Sequence, residues 1–405
     1  MIDIRNEASG CLNCINAKCM NACPLNVRIP EINRLIKEGR LEEAFDIAFE
    51  DNPLGAICGI VCPHEKQCEG SCVKGIMTEP IAIGNIEEYL WKWKLSNLCD
   101  NDLKNTNDSP SKIKVAVVGG GPAGIACASY LLRRSIDVTI YEKENYLGGI
   151  LIYGIPNFRL DSNIVKKNID FALSYKARGT LNIKYNNLLV AKGIESKEYS
   201  LVTLEDLEKE YDYIFIAIGL EKSKSLGLTD DNNKECIIDA HSFLKDDYDV
   251  KNKRVVVIGG GNVAIDSARK AVKEGANATI IYRRRREDMP ANNKEIEEAI
   301  EENVKFIFTT KVLSIKKDND LVLALDDGSI FNTDYLVEAI GSAVNKDYFD
   351  KDAELTEENY VKVNDVLKLS GRNIFVGGDL VGSKQTVANA VHTGINVAKM
   401  IVQDE

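Results

Sequence analysis

Residues 115–124 read Val115-Ala116-Val117-Val118-Gly119-Gly120-Gly121-Pro122-Ala123-Gly124. The apolar residues predict a buried strand, and the glycines after them predict a tight turn into a helix. In this pattern the first glycine permits the turn, the second lets the backbone approach a ligand, and the last allows close packing of the helix. Because the N-terminus of that helix faces the turn, the stretch predicts a site for a pyrophosphate.

The residues that follow extend this pattern into a dinucleotide-binding unit. A helix of small residues runs to Arg134, and a second strand, 138–141, ends at Glu142, 18 residues past Gly124. A carboxylate at that place would accept hydrogen bonds from an adenosine ribose. The alternative, a mere tight turn, would explain the glycines but not the strand, helix and acid in register.

The same pattern recurs at 254–282 with a different ending. The second glycine turn is Gly259-Gly260-Gly261-Asn262-Val263-Ala264, and the strand after it ends in four arginines, 283–286, instead of an acid. An arginine there suits a 2′-phosphate because the guanidinium fork matches phosphate geometry. We therefore expect NADPH rather than NADH, with one or two of these arginines on the phosphate. The alternative is a solvated basic corner balanced by Glu287 and Asp288.

Two copies of one strand-helix-strand unit predict two doubly wound domains of the α/β class. Short apolar strands that end at Gly219 and Gly341 indicate where the chain crosses between them. The predicted domains are a helical one at 1–110, a first nucleotide domain at 111–221 and 340–405, and a second at 222–339.

A third glycine turn lies near the C-terminus. Residues 375–380 predict a strand that runs into Gly377, Gly378 and Asp379, and a helix of small residues follows from Thr386. Asp379 could bind a polyol hydroxyl of a flavin, while the amides near Thr386 and Val387 would face the isoalloxazine end. The alternative is a surface turn before a C-terminal helix.

Eight of the 11 cysteines lie in the first 72 residues, as Cys11-x2-Cys14-x4-Cys19-x3-Cys23-Pro24 and Cys58-x3-Cys62-Pro63-x4-Cys68-x3-Cys72. They occupy loops between predicted helices at 29–37, 41–49 and 83–95. The uneven spacing and the prolines favour two four-iron clusters over zinc, whose sites usually repeat short, even cysteine pairs. Zinc and inert buried thiols stay as alternatives. Because the last cysteine of one run can ligate the other cluster, cysteines that are neighbours in sequence cannot simply be assigned to the same cluster.

Composition excludes several functional classes. A net charge of -11 argues against nucleic-acid binding. The N-terminus lacks a secretory pattern, and no stretch approaches the ~18 uninterrupted apolar residues of a membrane span. We therefore expect a cytoplasmic protein, where close cysteines are ligands more often than disulfides. No Cys-x2-Cys or Cys-x4-Cys pair follows either glycine turn, so a disulfide reductase is not expected, and the three scattered histidines indicate no general base.

Several motifs together resemble the glutamate synthase small-subunit family. That family includes the flavin subunit of bacterial dihydropyrimidine dehydrogenase and the large subunit of NADH-dependent reduced ferredoxin:NADP oxidoreductase. The similarity spans essentially all 405 residues. The motifs that carry it are Cys11-Leu12-Asn13-Cys14, Gly59-Ile60-Val61-Cys62-Pro63, Pro80-Ile81-Ala82-Ile83-Gly84-Asn85-Ile86-Glu87, Gly154-Ile155-Pro156-Asn157-Phe158-Arg159-Leu160 and Gly377-Gly378-Asp379.

The resemblance implies FAD in the first nucleotide domain, NADP(H) in the second, and two [4Fe-4S] clusters in the helical domain. It implies a glutathione-reductase-like arrangement of the two Rossmann-like domains. One cluster would be held by Cys11, Cys14, Cys19 and Cys72, and the other by Cys23, Cys62, Cys68 and Glu87. Cys58 would then be free. Spacing alone, however, favours Cys58 over Glu87 as the fourth ligand. The alternative role for Glu87 is a solvated carboxylate on a helix.

The resemblance also implies that Arg159 contacts FAD and that Val61 packs between flavin and cluster. The nucleotide-contacting residues expected from the motifs and the resemblance together are Val61, Gly119, Gly121, Pro122, Ala123, Gly124, Glu142, Gly149, Arg159, Gly259, Gly261, Asn262, Val263, Ala264, Arg283, Arg284, Arg286, Ala339, Gly341, Gly378, Asp379, Thr386 and Val387.

These expectations combine into one functional hypothesis. NADPH delivers a hydride to FAD, and the clusters pass single electrons to a catalytic partner subunit or a ferredoxin-type carrier. One alternative is a self-sufficient NAD(P)H flavin reductase that acts on a small acceptor such as polysulfide. The other is a zinc-bearing docking or regulatory protein.

Overall fold

The computed structural model describes residues 4–99, 102–103, 113–228, 233–318, 320–345, 348–349, 354–369, 372–382 and 384–404. The chain divides into two compact units. The first unit comprises residues 1–151, 160–219 and 344–405, and the second comprises 152–159 and 220–343. The predicted helical segment and the first nucleotide fold thus share one unit. The predicted three-domain division stays a prediction, and its 110/111 boundary lies outside the described residues.

The N-terminal part of the first unit is helical. Its helices are α1 (Ile4–Ser9), α2 (Lys18–Ala22), α3 (Ile29–Lys37), α4 (Leu41–Asp51), α5 (Gly55–Val61) and α6 (Ile83–Ser96). The three helices predicted from apolar spacing are α3, α4 and α6, and they are confirmed. On α3 the apolar spacing buries Ile29, Ile32, Leu35 and Ile36 on one face.

The rest of the first unit is a doubly wound fold. Its sheet has the strand order β17-β6-β1-β2-β3, all parallel. These strands are β1 (Lys114–Val118), β2 (Asp137–Tyr141), β3 (Leu181–Lys184), β6 (Tyr213–Ile216) and β17 (Ile374–Val376), and a small parallel pair joins β4 (Asn187–Leu189) to β5 (Ser200–Val202). The helices are α7 (Pro122–Leu132), α8 (Ile150–Tyr153), α9 (Ser162–Ser174), α10 (Leu204–Glu210) and α14 (Val387–Gln403).

An aromatic cluster joins the helical part to this fold. Phe45, Phe49 and Trp91 pack against Phe171 and Tyr175 of the α9 region, with ring centroids 4.8 to 5.8 Å apart and mostly edge to face. Such pairs each contribute about 0.5–1.5 kcal/mol beyond area burial. Large buried rings on both sides explain why the two parts form one unit.

Ion pairs reinforce the same junction. Glu50 of α4 bonds to both Arg133 and Arg134 at the end of α7. The carboxylate of Asp46 accepts hydrogen bonds from the Tyr175 hydroxyl at 2.7 Å and from Lys176 at 2.6 Å. The helical part is therefore fixed on the first nucleotide fold by polar as well as apolar contacts.

The second unit repeats the doubly wound design. Its parallel sheet has the order β11-β10-β9-β15-β8. Those strands are β8 (Ile237–Asp239), β9 (Arg254–Ile258), β10 (Asn277–Tyr282), β11 (Lys305–Phe308) and β15 (Tyr335–Glu338), and the helices are α11 (Ala240–Lys245), α12 (Asn262–Lys273) and α13 (Asn293–Glu301). The second unit also contains an antiparallel sheet of three strands, β12 (Val312–Lys317), β13 (Leu321–Leu325) and β14 (Ile330–Thr333). A short antiparallel pair joins β7 (Lys222–Ser223) to β16 (Ser342–Ala343).

Among the described residues, no helix has both the length and the apolar composition needed to cross a bilayer.

Candidate functional site

The first glycine turn follows β1, as its sequence predicts. Gly119 has a φ of +101°, and a side-chain carbon there would lie 2.5 Å from the carbonyl oxygen of Ala217. A Cβ at Gly124 would lie 2.0 Å from the oxygen of Gly119. Gly121 caps α7, and a Cβ there would meet nothing within 4 Å. Two glycines are therefore required by packing, whereas Gly121 leaves open space at the helix N-terminus, where a phosphate group fits.

Glu142 lies beside this turn. Its carboxylate accepts hydrogen bonds from the amides of Gly120 at 2.7 Å and Glu144 at 2.9 Å, and burial raises its pKa. These bonds fix the carboxylate at the end of β2. Each carboxylate oxygen has a further lone pair, so the arrangement fits a ribose that donates its hydroxyls.

The C-terminal turn packs on the same site. Gly378 has a φ of +67°, and its missing side chain faces Ala123 at 3.4 Å. Helix α14 lies against α7 so closely that a Cβ at Gly394 would meet the Ala123 oxygen at 2.1 Å. Thr386 caps α14 by accepting a hydrogen bond from the Asn389 amide. The structure thus brings Gly378 and α14 to the first glycine turn, while the flavin contacts expected of Thr386 and Val387 stay predictions.

Asp379 is the charged residue of that turn. Burial raises its pKa to about 6, and no counter-charge among the described residues opposes the shift. A partly buried carboxylate of this kind gains from a hydroxyl donor supplied by a ligand. The position therefore fits the expected polyol contact.

The second glycine turn has the same geometry in the second unit. Gly259 has a φ of +150°, and a Cβ there would lie 2.3 Å from the oxygen of Ala339. Gly261 caps α12 and again faces open space. The side-chain oxygen of Asn262 accepts a hydrogen bond from the Asn292 amide at 2.9 Å, which holds the start of the helix.

The arginines after β10 are exposed. Arg286 pairs with Glu297, and the amide of Arg285 bonds to Asp288. Within the part of the chain that the structure describes, Arg283 and Arg284 form no ion pair with a carboxylate. The guanidinium groups of Arg283 and Arg284 thus remain available for an anion, while that of Arg286 is already engaged.

Arg159 lies in the second unit. Its side chain is 9% exposed and pairs with Asp266 of α12 at 2.8 Å and with Glu295 of α13 at 2.9 Å. Burial raises the pKa of Asp266 to about 6 although Arg159 opposes the shift. No local pattern could indicate these two partners, because they come from helices 107 residues or more along the chain. The expected contact of Arg159 with FAD stays a prediction.

The first cysteine group consists of Cys11, Cys14, Cys19 and Cys72. These four side chains line one small, partly open cavity. Burial raises the pKa of Cys19 to about 11, and the nearby thiols of Cys72 and Cys11 add to the shift. The fold therefore brings Cys72 to the three early cysteines, as the resemblance implies.

The second cysteine group consists of Cys23, Cys58, Cys62 and Cys68, together with Glu87. Burial is the main cause that raises the pKa values of Cys23, Cys68 and Glu87, and each shift is increased by at least one other acidic member of the group. The structure thus places Glu87 among the thiols rather than on a solvated helix face. Cys58, left free by the resemblance, lies in the same group.

Close helix packing builds this second group. A Cβ at Gly59 of α5 would lie 2.7 Å from the oxygen of Gly84 of α6 and 3.4 Å from the Glu87 Cβ. The two helices therefore cross with almost no side chain between them. This crossing carries Glu87 from α6 to the cysteines of α5.

The donor sets fit iron–sulfur clusters better than a single ion. Throughout the described residues, no three or more His, Cys, Asp or Glu side chains are drawn together closely enough to hold one metal ion. A cubane cluster holds its sulfur ligands farther apart than an ion does. Thiolate ligands around a cavity, with one carboxylate in the second group, suit such a cluster.

Val61 is 8% exposed at the end of α5, directly before Cys62. Helix α5 contacts α14, whose Gly394 packs against Ala123 of the first glycine turn. The structure thus joins the second cysteine group to this turn through packed elements of one unit, while the role of Val61 itself stays a prediction.

Two family models match separate stretches of the chain. Residues 113–394 match the family described as pyridine nucleotide-disulphide oxidoreductase. Residues 2–98 match the family described as dihydropyrimidine dehydrogenase domain II, 4Fe-4S cluster. The first match covers both glycine turns, and the second covers both cysteine groups.

Relatives with assigned names are similar over most of the chain. The glutamate synthase [NADPH] small chain of Escherichia coli (strain K12) is 31% identical over 76% of this chain and 66% of its own length. The NADP(+)-dependent formate dehydrogenase subunit beta of Moorella thermoacetica is 31% identical over 96% of this chain and 60% of its own length. The NADPH-Fe(3+) oxidoreductase subunit beta of Geobacter sulfurreducens (strain DL-1 / KN400) is 36% identical over 72% of this chain and 42% of its own length. The chain thus spans about two fifths to two thirds of the length of these curated relatives.

Solved structures support the fold. Thioredoxin reductase of T. acidophilum aligns with a TM-score of 0.56 and 22% identity, covering 72% of this chain and 98% of that one. Thioredoxin reductase of Lactococcus lactis aligns with a TM-score of 0.57 and 19% identity over the same shares. The predicted α/β class with Rossmann-like sheets is confirmed.

Proposed function

The chain belongs to the pyridine nucleotide-disulphide oxidoreductase family, and from that premise we propose that it is the electron-input subunit of a larger oxidoreductase. In this proposal the second unit binds NADPH, the first unit binds FAD, and electrons leave through the two cysteine groups to a partner protein. The cofactor prediction of FAD, NADP(H) and [4Fe-4S] clusters is confirmed by the matched families, as is the class of enzyme, an FAD- and iron–sulfur-dependent NAD(P)H oxidoreductase.

One observation carries the proposal: both cysteine groups share a unit with the glycine turn and the helix, α14, that are expected to hold FAD. Bound FAD accepts a hydride and can release electrons one at a time. The chain's own task is then to position acceptors beside the flavin. Helix α5 does this, because it contacts α14 at one side and ends at Cys62 on the other.

The first cysteine group supports an exit toward a partner. Large apolar side chains near its ligands in sequence are exposed: Leu12 by 61%, Ile15 by 101%, Ile76 by 76% and Met77 by 89%. We call these four residues the apolar rim. Such exposed apolar groups are typical of interaction sites. Lys18 and Lys74 line the same cavity, which favours an acidic partner surface.

Several relatives carry names that denote a small chain or a subunit beta. This supports a partner polypeptide for this chain, either a catalytic subunit or a ferredoxin-type carrier. NADPH as the donor is supported by Arg283 and Arg284, which form no ion pair within the described residues.

A ligand substitution tests the route. The variant Cys14→Ser removes one ligand of the first cysteine group and leaves the glycine turns intact. We expect NADPH to reduce its FAD at the wild-type rate, while reduction of a partner co-purified from native cells falls at least tenfold. Cys99→Ser, a substitution outside both groups, serves as the control.

The result also separates the alternatives. If the variant still reduces the natural partner at the wild-type rate, the first group is not on the route. If polysulfide reduction by the same protein survives removal of both clusters, a self-sufficient flavin reductase is favoured instead. Metal analysis that finds zinc without iron or sulfide would overturn both in favour of a docking protein.

A further inference from the structure

Cys58 is a thiol that no expected role uses. It lies in α5 with 2% of its surface exposed, one helical turn before Cys62. The resemblance assigns the fourth place at the second cluster to Glu87 and leaves Cys58 free. Its surroundings in the structure are those of a ligand rather than of an inert packing group.

Cys58 lies close to the other members of the second cysteine group. The Cys62 thiol donates a hydrogen bond to the Cys58 sulfur. Cys58 also lies within electrostatic range of both Cys23 and Glu87. By contrast, Cys127 is equally buried but is perturbed by burial alone. The group therefore contains five donors where one cluster needs four.

Cys58 also accepts a hydrogen bond from outside the group. Asn52, 2% exposed, donates its side-chain amide to the Cys58 sulfur. The Asn52 oxygen accepts from the Leu54 amide at 3.1 Å, which fixes the direction of the side chain. Amide donors to sulfur orient and tune the thiolate ligands of iron–sulfur clusters. A buried thiol that only fills space needs no such donor.

Packing of α5 on α6 places Cys58 near Glu87. Gly59 packs against Gly84, and the space for its Cβ ends 3.4 Å from the Glu87 Cβ. Cys58 precedes Gly59 directly, and Glu87 lies one turn after Gly84. The two side chains thus approach the same group from two crossing helices.

We propose that Cys58 and Glu87 are interchangeable fourth ligands of the second cluster. When Cys58 replaces Glu87, an iron–sulfur bond forms, an iron–oxygen bond breaks, and the thiol proton passes to the released carboxylate. No electron is gained or lost, and the charge of the ligand set is unchanged. This inference deepens the proposed function, because it concerns the second cluster on the proposed route.

Four variants test the proposal: Glu87→Ala, Cys58→Ala, the double variant, and Glu87→Ala with Cys127→Ala as the matched control. Each is isolated anaerobically as the full chain, and iron, acid-labile sulfide and FAD are quantified. We expect both single variants and the control to keep the wild-type ratio of iron to FAD. The double variant should hold less iron per FAD than the wild type, since one of its two clusters then keeps only three protein ligands.

Electron paramagnetic resonance of the reduced protein gives a second readout. One of the two cluster signals should change in Glu87→Ala, and that signal should be absent from the double variant. The remaining cluster and the bound FAD report that the double variant is folded.

Loss of iron from either single variant would overturn the interchange. Full iron in the double variant would overturn any role of the two residues as ligands. A failure of the proposed function looks different, because the wild type would then keep both clusters and yet reduce no partner.

Discussion

At the scale of single residues, Asp379 leads us to expect that FAD affinity depends on pH. Burial raises its pKa to about 6 in the ligand-free protein. A polyol hydroxyl that donates to the carboxylate favours the ionised form, so FAD binding should lower this pKa again. Affinity for FAD should therefore rise by up to tenfold per pH unit as the pH increases toward about 6, and level off above it.

FAD titrations followed by flavin fluorescence, between about pH 5 and pH 7, check this prediction. Asp379→Asn should bind more weakly at the upper end of the window and show no dependence on pH within it. An unchanged pH dependence in the variant would assign the effect to another group.

The folding stability of the ligand-free protein depends on Asp379 in the opposite sense. A carboxyl whose folded pKa lies at about 6, above its ordinary 3.8, costs stability once it is ionised. The cost is absent below the unfolded-state pKa and complete above about 6. The Asn variant without FAD should accordingly unfold at a higher temperature than the wild type near neutral pH.

Arg283 and Arg284 make a prediction about nucleotide choice. Charge-assisted hydrogen bonds contribute about 1.5–3 kcal/mol each. The double variant Arg283→Glu with Arg284→Glu should therefore weaken NADPH binding at least tenfold and affect NADH binding far less. Equilibrium titration with both nucleotides measures the difference. Arg286→Glu is a useful comparison, because Arg286 already pairs with Glu297; an equal loss for NADPH and NADH would contradict the assignment.

At the scale of elements, the crossing of α5 and α6 makes a prediction about cluster assembly. A methyl group at Gly59 would lie 2.7 Å from the backbone oxygen of Gly84, so the helices must separate. Gly59→Ala should cost about 1–3 kcal/mol of stability and lower the iron content. Gly75→Ala is the control, since a Cβ there would come no closer than 3.4 Å to Pro80. Thermal unfolding and iron analysis of both variants check it, and equal behaviour would count against a tight crossing.

The elements that sequence predicted best are those whose pattern is local. The strand and glycine turn at 115–124 and its copy at 259–264 depend on neighbours within a few residues, so their form could be read directly. The apolar spacing of α3 is local in the same way. The second cysteine group was harder, because Glu87 joins it only through packing between α5 and α6.

Other features could not be predicted, for a related reason. The ion pairs of Arg159 form with Asp266 and Glu295, and they depend on which helices face each other. The hydrogen bond from Asn52 to Cys58 is likewise a product of the folded chain. Spacing alone favoured Cys58 and the resemblance favoured Glu87, whereas the structure places both in one group.

At the scale of the whole molecule, the apolar rim makes a prediction about partner binding. Ile15→Asp combined with Met77→Asp places charge on two fully or largely exposed apolar positions. Reduction of the partner should slow at least tenfold through a higher KM, while reduction of FAD by NADPH stays unchanged. Ile330→Asp, at a site 70% exposed in the second unit, is the matched control. Stopped-flow and steady-state rates separate the two steps, and an equal effect in all variants would remove the rim from the interface.

The short segment 152–159 limits how this protein can be cut apart. It belongs to the second unit although the residues on both sides of it belong to the first. A graft that transplants 220–343 as a cassette would leave Arg159 behind and remove the buried cation that pairs with Asp266, while Glu295 would keep its ion pair with Arg269. Engineers who exchange nucleotide preference between relatives by swapping modules will have to carry this octapeptide along, or neutralise Asp266 in the recipient.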